Sequence, residues 1–340
     1  MCNPERQRAT RNDLPWHGMT VRLTVSQAGW RQHVATTALA YGPALVPVVK
    51  GNGYGFGRRL LHQLATELID RIEHVCVGNI HELADVPANR RPVVLTPTLA
   101  PTAAQGAILT VGSTAHVDAL RGWSGDVMIK VASSMRRFGA TVDELPTLTR
   151  AVENLGLGVA GYALHLPLTG TDEARVAEIE TWLPDLQFDI PLWVSHLEPA
   201  TVQALQTKYP LRQLRVRVGT ALWHGVPKVP DLQLHSDVLH TQPIGVGEIA
   251  GYHHTRAPFD GTLVIIGAGT THGIAPNDSP SKQPLSPFHF ARTRMTLLEA
   301  PHMHTSLVVV KANAQSPKVG EWVDVQRPLI TTMVDEIEWM

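Results

Sequence analysis

Residues 46–57 read VPVVKGNGYGFG, and the fold turns on them. Val46, Pro47, Val48 and Val49 form a short apolar run that ends on Lys50. A loop follows in which Gly51, Gly53, Gly55 and Gly57 alternate with larger residues. Behind it, RRLLHQLATELID carries Leu60, Leu61, Leu64, Ala65 and Leu68 at helical spacing. Strand, glycine loop and helix therefore follow one another, with Lys50 at the carboxyl end of the strand. That is the end where α/β folds place their chemistry. An amine desolvated beside apolar strands has a lowered pKa, so it can act as a nucleophile toward an aldehyde.

Working outward, short apolar runs of the same texture recur. They are Leu45–Val49, His74–Gly78, Pro92–Leu95, Ala107–Val111, Val127–Val131, Val159–Leu164, Pro191–Val194 and Leu214–Val218. Helical patterns such as ELPTLTRAVENLG and ARVAEIETWL separate several of them. Eight strands alternating with helices predict a (β/α)8 TIM-like barrel rather than an open sheet. From about residue 235 the long helical patterns stop. Segments such as APFDGTLVIIGAG, TSLVVVKAN and GEWVDVQRPLITT read as strands joined by Gly, Pro and Asn turns. The expected organisation is a loose polar arm over residues 1–18, a barrel over 19–238 and a C-terminal β-rich domain over 239–340. The Pro/Ser-rich stretch 275–288 is expected to be an exposed loop.

Composition narrows the function. The 340 residues carry 29 basic and 30 acidic side chains, for a net charge of −1. Nothing there draws a nucleic acid or an anionic membrane surface. No run approaches the ~20 apolar residues of a membrane helix, and the N-terminus lacks the apolar stretch of a signal peptide. Cys2 and Cys76 offer neither a disulfide framework nor a CxxC spacing, which points to a reducing, cytoplasmic setting. The 17 histidines include His253–His254 and the pair His302 and His304. No carboxylate or cysteine recurs with them at a familiar metal spacing, so no metal is expected.

VVKGNGYGFG resembles the segment VVKANAYGHG of alanine racemases, whose lysine binds pyridoxal 5'-phosphate (PLP). Further segments extend the resemblance in order. IKVASSMRRFG (129–139) is similar to K-x-D-T-G-M-x-R-x-G, with Met135, Arg137 and Gly139 in register. GYALHL (161–166) is similar to the strand whose histidine packs on the cofactor ring, and VSHL (194–197) follows the strand after it. LRVRVGTALWHG (214–225) is similar to V-R-P-G-I-x-x-Y-G. The resemblance implies a PLP enzyme in which Lys50 forms the aldimine and acts as one base. Arg137 would meet the ring oxygen and the substrate carboxylate, since its forked donors suit oxyanions. Arg217 would face the pyridine nitrogen, keeping it unprotonated and favouring reprotonation at Cα over transamination. His165 would stack on the ring. Tyr54, Ser195, and the backbone of Gly219 and Thr220 would hold the phosphate. The implied activity is amino-acid racemisation, first of alanine, in a homodimer. Small-molecule amino acids are the implied substrates.

The pattern also breaks. The family's Asp-Thr-Gly is Ala132-Ser133-Ser134. The family's second base is a tyrosine of the β-domain, and IGAGTTHGIAP (266–276) puts Ala268 at that position. His272 is the nearest titratable side chain and the candidate replacement, with His304 beside it as an alternative; imidazole suits proton transfer near neutrality. Met303 and His304 stand where the family keeps a Met-Asp pair near the substrate carboxylate. Asp335 replaces a phosphate-binding tyrosine. Alternatives are a PLP enzyme of this fold acting on another amino acid, or a PLP-binding homeostasis protein with little catalysis.

Overall fold

The computed structural model describes residues 21–69, 72–101, 104, 106–225, 231–277 and 285–340. The arm expected over 1–18 lies outside these, as do residues 278–284 of the expected exposed loop.

Strand β1 (Val21–Val25) leads into helix α1 (Gln27–Tyr41). Eight parallel strands follow: β2 (Leu45–Pro47), β3 (His74–Val77), β4 (Arg91–Val94), β5 (Ile108–Val111), β6 (Asp126–Lys130), β7 (Gly158–Ala163), β8 (Leu192–Ser195) and β9 (Leu214–Val218). They coincide with the eight apolar runs, and their order is β2-β9-β8-β7-β6-β5-β4-β3. The two ends meet just beyond β2. Val48 N donates to Val218 O at 2.9 Å and Val49 N donates to Cys76 O at 2.8 Å. This closes the sheet into a TIM-like barrel, so no strand edge is left open.

The helices between strands are α2 (Arg58–Leu68), α3 (Thr114–Asp118), α4 (Leu145–Asn154), α5 (Asp172–Trp182), α6 (Pro199–Lys208) and α7 (Thr220–Trp223). Local chemistry starts several of them. The Thr171 hydroxyl accepts from Ala174 N ahead of α5, and the Ser113 hydroxyl accepts from His116 N ahead of α3. None of the described helices is long and apolar enough to cross a membrane.

Alternate residues of the strands fill the barrel: Val46, Val48, Cys76, Val93, Ile108, Met128, Ala163 and Trp193 pack into one buried cluster. Continuing each alternation by two residues toward the carboxyl rim brings up Lys50, Lys130, His165 and Ser195. Arg217 pairs with Val46 and with Ser195 and shares their inward direction.

The second part is antiparallel. Its strands are β10 (Leu232–Ile244), β11 (Ile249–Ala250), β12 (Thr255–Arg256), β13 (Gly261–Ile266), β14 (Phe288–Phe290), β15 (Thr293–Arg294), β16 (Thr296–Leu297), β17 (Ser306–Lys311), β18 (Trp322–Val325) and β19 (Glu336–Trp339). The main path runs β15-β14-β18-β10-β13-β17-β16, and β1 pairs with β10 and β19. Ile244, Ala257, Leu263, Leu298, Leu307 and Val309 form its core cluster.

The chain separates into two compact units. The barrel unit is Thr24–Leu232 with Pro328–Thr332 and Trp339–Met340; the β-rich unit is Gln233–Arg327 and Met333–Glu338 with the described residues up to Leu23. The division falls at Leu232, where β10 begins as one strand that runs unbroken past residue 238.

Candidate active site at the carboxyl rim of the barrel

The glycine loop after Lys50 is held from two sides. Glu82, which is 6% exposed, accepts from Gly51 N at 3.0 Å and from Gly78 N at 2.6 Å. From the other side, the Asn52 amide donates to Leu329 O and Thr332 O, each at 2.7 Å. All four glycines take positive φ, and at Gly53 a Cβ would lie 2.5 Å from Arg58 N. Lys50 itself is exposed at the open end of the barrel. The buried wall behind its amine nevertheless lowers its pKa, and the Arg137 and Arg217 guanidinium groups act in the same direction. Glu82 works against them.

Cations crowd this rim. Arg217 is 9% exposed and donates through Nη2 to Leu164 O at 2.9 Å and through Nε to Val194 O at 3.3 Å. Lys130, at the end of β6, is 5% exposed. Burial brings its amine down to about 7, with Arg217 and Arg137 adding to the effect. Lys130 Nζ and Arg137 Cζ both approach the Phe138 ring, at 5.4 and 5.2 Å from its centroid. The segment carrying Arg137 folds back on β6 through Ala140 N to Lys130 O at 2.9 Å and Ala132 N to Ala140 O at 2.8 Å. Ser134, in the departed Asp-Thr-Gly position, donates through N and Oγ to the Glu178 carboxylate at 2.7 and 2.8 Å.

His165 follows β7 and its Nδ1 lies 2.8 Å from Ser195 Oγ, which also accepts from Leu166 N at 3.1 Å. Ser195 is 2% exposed. Its hydroxyl is therefore engaged in orienting His165. Burial brings the His165 imidazole down to about 2, with further pushes from Arg217, His196, Lys130 and Arg137. Tyr54 is buried in a left-handed turn, φ 57°, and a Cβ on Gly219 would meet its Oη at 2.1 Å. Only a glycine lets the loop after β9 come this close to the tyrosine. His224 Nε2 lies 2.7 Å from Tyr54 O and props the same loop. Thr220 opens α7 and is exposed.

The barrel unit thus brings Lys50, Tyr54, Arg137, His165, Ser195, Arg217, Gly219 and Thr220 to one rim. The other expected residues stand together in the β-rich unit. His272 is 8% exposed; its Nδ1 accepts from Gly269 N at 3.2 Å and its Nε2 lies 3.3 Å from Asp335 Oδ2. That neutral ring carries its proton on Nε2, turned to the carboxylate, and its lone pair is occupied. His304 is exposed, with Nδ1 3.2 Å from Thr271 Oγ1, which donates to Met303 O at 2.8 Å. Ala268, at the family's tyrosine position, is fully buried.

Three rim residues escaped the sequence reading. Lys130 was legible by alternation, two positions beyond the core residue Met128. Glu82 and His196 carry no such signal, since Glu82 sits in a short 3-10 helix (Ile80–Asp85) and His196 in the loop after β8.

The rim suits PLP. It offers an amine of lowered pKa for an aldehyde, guanidinium groups for anionic oxygens, and a glycine cradle beside a tyrosine hydroxyl. A barrel of this kind, with a lysine ending its first strand and a β-rich unit after it, is the architecture of fold-type III enzymes. The family model for the alanine racemase N-terminal domain matches residues 29–227, and the chain belongs to that family. No curated protein sequence matches the chain. Among solved structures, alanine racemase from Bartonella henselae with covalently bound pyridoxal phosphate superposes with a TM-score of 0.70 at 17% identity, covering 94% of this chain and 99% of that one. Biosynthetic alanine racemase from Pseudomonas aeruginosa gives 0.67 at 17% identity, covering 95% and 99%. Alanine racemase from D-cycloserine-producing Streptomyces lavendulae gives 0.68 at 15% identity, covering 96% and 98%. At these identities the likeness is one of fold.

Proposed function

We propose that this chain is a PLP-dependent amino-acid racemase, with alanine as the first substrate to test. The observation that carries the reading is the place of Lys50, two residues beyond the barrel-filling Val48 at the carboxyl rim, with burial and then the Arg137 and Arg217 charges lowering its pKa. Lys50 would bind the cofactor aldehyde and serve as one proton acceptor. Arg137 would hold the ring oxygen and the substrate carboxylate, and Arg217 the ring nitrogen. His165, locked by Ser195, would pack on the ring. Tyr54, Gly219 and Thr220 would hold the phosphate, with the Ser195 hydroxyl given over to His165 and Leu166 N. Bound PLP supplies an electron-withdrawing ring that acidifies the Cα–H of an attached amino acid. Arg217 donates to two main-chain carbonyls and so stays in place when that charge develops. In a cytoplasmic homodimer, Met303 and His304 would meet the substrate carboxylate of a partner barrel.

Incubation of the PLP-loaded protein with L-alanine, L-serine, L-lysine and L-glutamate in deuterated water tests this. Deuterium entry at Cα with inversion is expected for at least one of them. Absence of exchange with all four would favour a PLP-holding protein with little turnover. The buried Ala268 and the engaged His272 ring are the observations on that side.

A further inference from the structure

Racemisation needs a proton acceptor besides Lys50, and the barrel itself offers one that the motifs do not mark. His196 follows the last residue of β8. It holds a left-handed backbone, φ 60°, which is uncommon for a residue with a side chain. Its ring centroid lies 4.9 Å from that of the rim residue His165. His196 Nδ1 is 2.7 Å from Leu166 O. A carbonyl oxygen can only accept, so Nδ1 must carry the hydrogen and the Nε2 lone pair is left basic. Among the described residues no hydrogen-bond partner takes that Nε2.

The carbonyl that sets this tautomer is itself pinned. Arg175, 9% exposed, donates to Pro167 O at 2.9 Å and to Leu168 O at 2.6 Å, and pairs with Asp172 at 2.8 Å. The loop after β7 therefore presents Leu166 O at a fixed place. Burial favours the neutral imidazole, the hydrogen bond to Leu166 O works against it, and the Arg217, Arg175 and Lys50 charges add to the effect of burial. Two other rim groups are already engaged. Glu82 is occupied by Gly51 and Gly78, and the facing nitrogen of His165 is occupied by Ser195.

We propose that His196 Nε2 is the second proton acceptor of the rim, working with Lys50 on the substrate Cα proton. This rests on the racemase reading. In the step, the Cα–H bond breaks, its electron pair stays with the substrate, and the proton goes to the Nε2 lone pair. The imidazolium returns a proton to the same carbon when the opposite enantiomer is the substrate. Nothing is oxidised or reduced.

His196→Asn tests it, since asparagine tolerates the left-handed turn and can still donate to Leu166 O. In deuterated water the variant should lose Cα exchange by 100-fold or more with one enantiomer of alanine and keep it with the other, as expected for loss of one of two acceptors and within the ~10²–10⁴ range of general base catalysis. Equal rates to the parent, or equal slowing with both enantiomers, would overturn the assignment. Independently of catalysis, nitrogen-15 NMR of the ligand-free parent should show His196 neutral at pH 7 with the proton on Nδ1. A proton on Nε2, or a charged ring, would also overturn it. If the parent exchanges no amino acid, the racemase reading fails and the proposal with it.

Discussion

Glu82 accepts the backbone N–H of Gly51 at 3.0 Å, one residue beyond the rim lysine. Because the other oxygen of the same carboxylate takes Gly78 N, the glycine loop is tied to the end of β3. Glu82→Ala leaves both N–H groups without their partner. The expected loss is roughly 1–3 kcal/mol, as for an unsatisfied buried donor. Denaturant unfolding checks it, and an unchanged midpoint would mean the loop does not depend on this carboxylate.

After PLP is added and the free cofactor removed, Lys50→Ala should abolish the visible band that stays with the protein and that borohydride fixes covalently to it, with the barrel still folded by circular dichroism. A reducible band of parental size in the variant would remove Lys50 from the cofactor.

Arg217 is among the groups that lower the Lys50 pKa, after burial and Arg137. Arg217→Met removes that charge while keeping an unbranched side chain, so the Lys50 amine should titrate at higher pH. The pH dependence of Lys50 modification by an acylating reagent, read by peptide mass spectrometry, should move upward. A downward move would contradict the arrangement.

Acid should destabilise the barrel below about pH 6.5. Burial brings His165 to about 2 and His62 to about 4, against 6.5 for a free imidazole. As pH falls through 6.5 the unfolded chain takes up these protons while the folded chain does not. Stability present above 6.5 is therefore lost on acidification, by up to about 1.4 kcal/mol per pH unit for each group. His62 stops contributing near 4. The variant His62→Gln should show a shallower fall between pH 6.5 and 4; an unaltered slope would place the acid-sensitive groups elsewhere.

The Ser195 hydroxyl, shared by His165 and Leu166, should matter for geometry as well as stability. Ser195→Ala is expected to cost about 1–3 kcal/mol. It should also broaden the His165 imidazole resonance in NMR; a sharp, unmoved resonance would show the ring is fixed by packing alone.

Read as sequence, the chain determines the barrel and half of its rim. Alternation of apolar residues at period two is a local property, and so is a lysine at the end of such a run. Hence all eight strands, and Lys50 and Arg217 at their carboxyl ends, follow from neighbouring residues alone. The tertiary structure decided what depends on distant partners. VRLTV at 21–25 forms a strand whose mates, β10 and β19, lie far along the chain, so it joins the other sheet. Asn52 finds its acceptors at Leu329 and Thr332 for the same reason. The state of each imidazole is also beyond the sequence. The tautomer of His196 and the closed ring of His272 are set by whether a carbonyl, a carboxylate or an amide hydrogen faces each nitrogen, and only the folded chain brings those groups there.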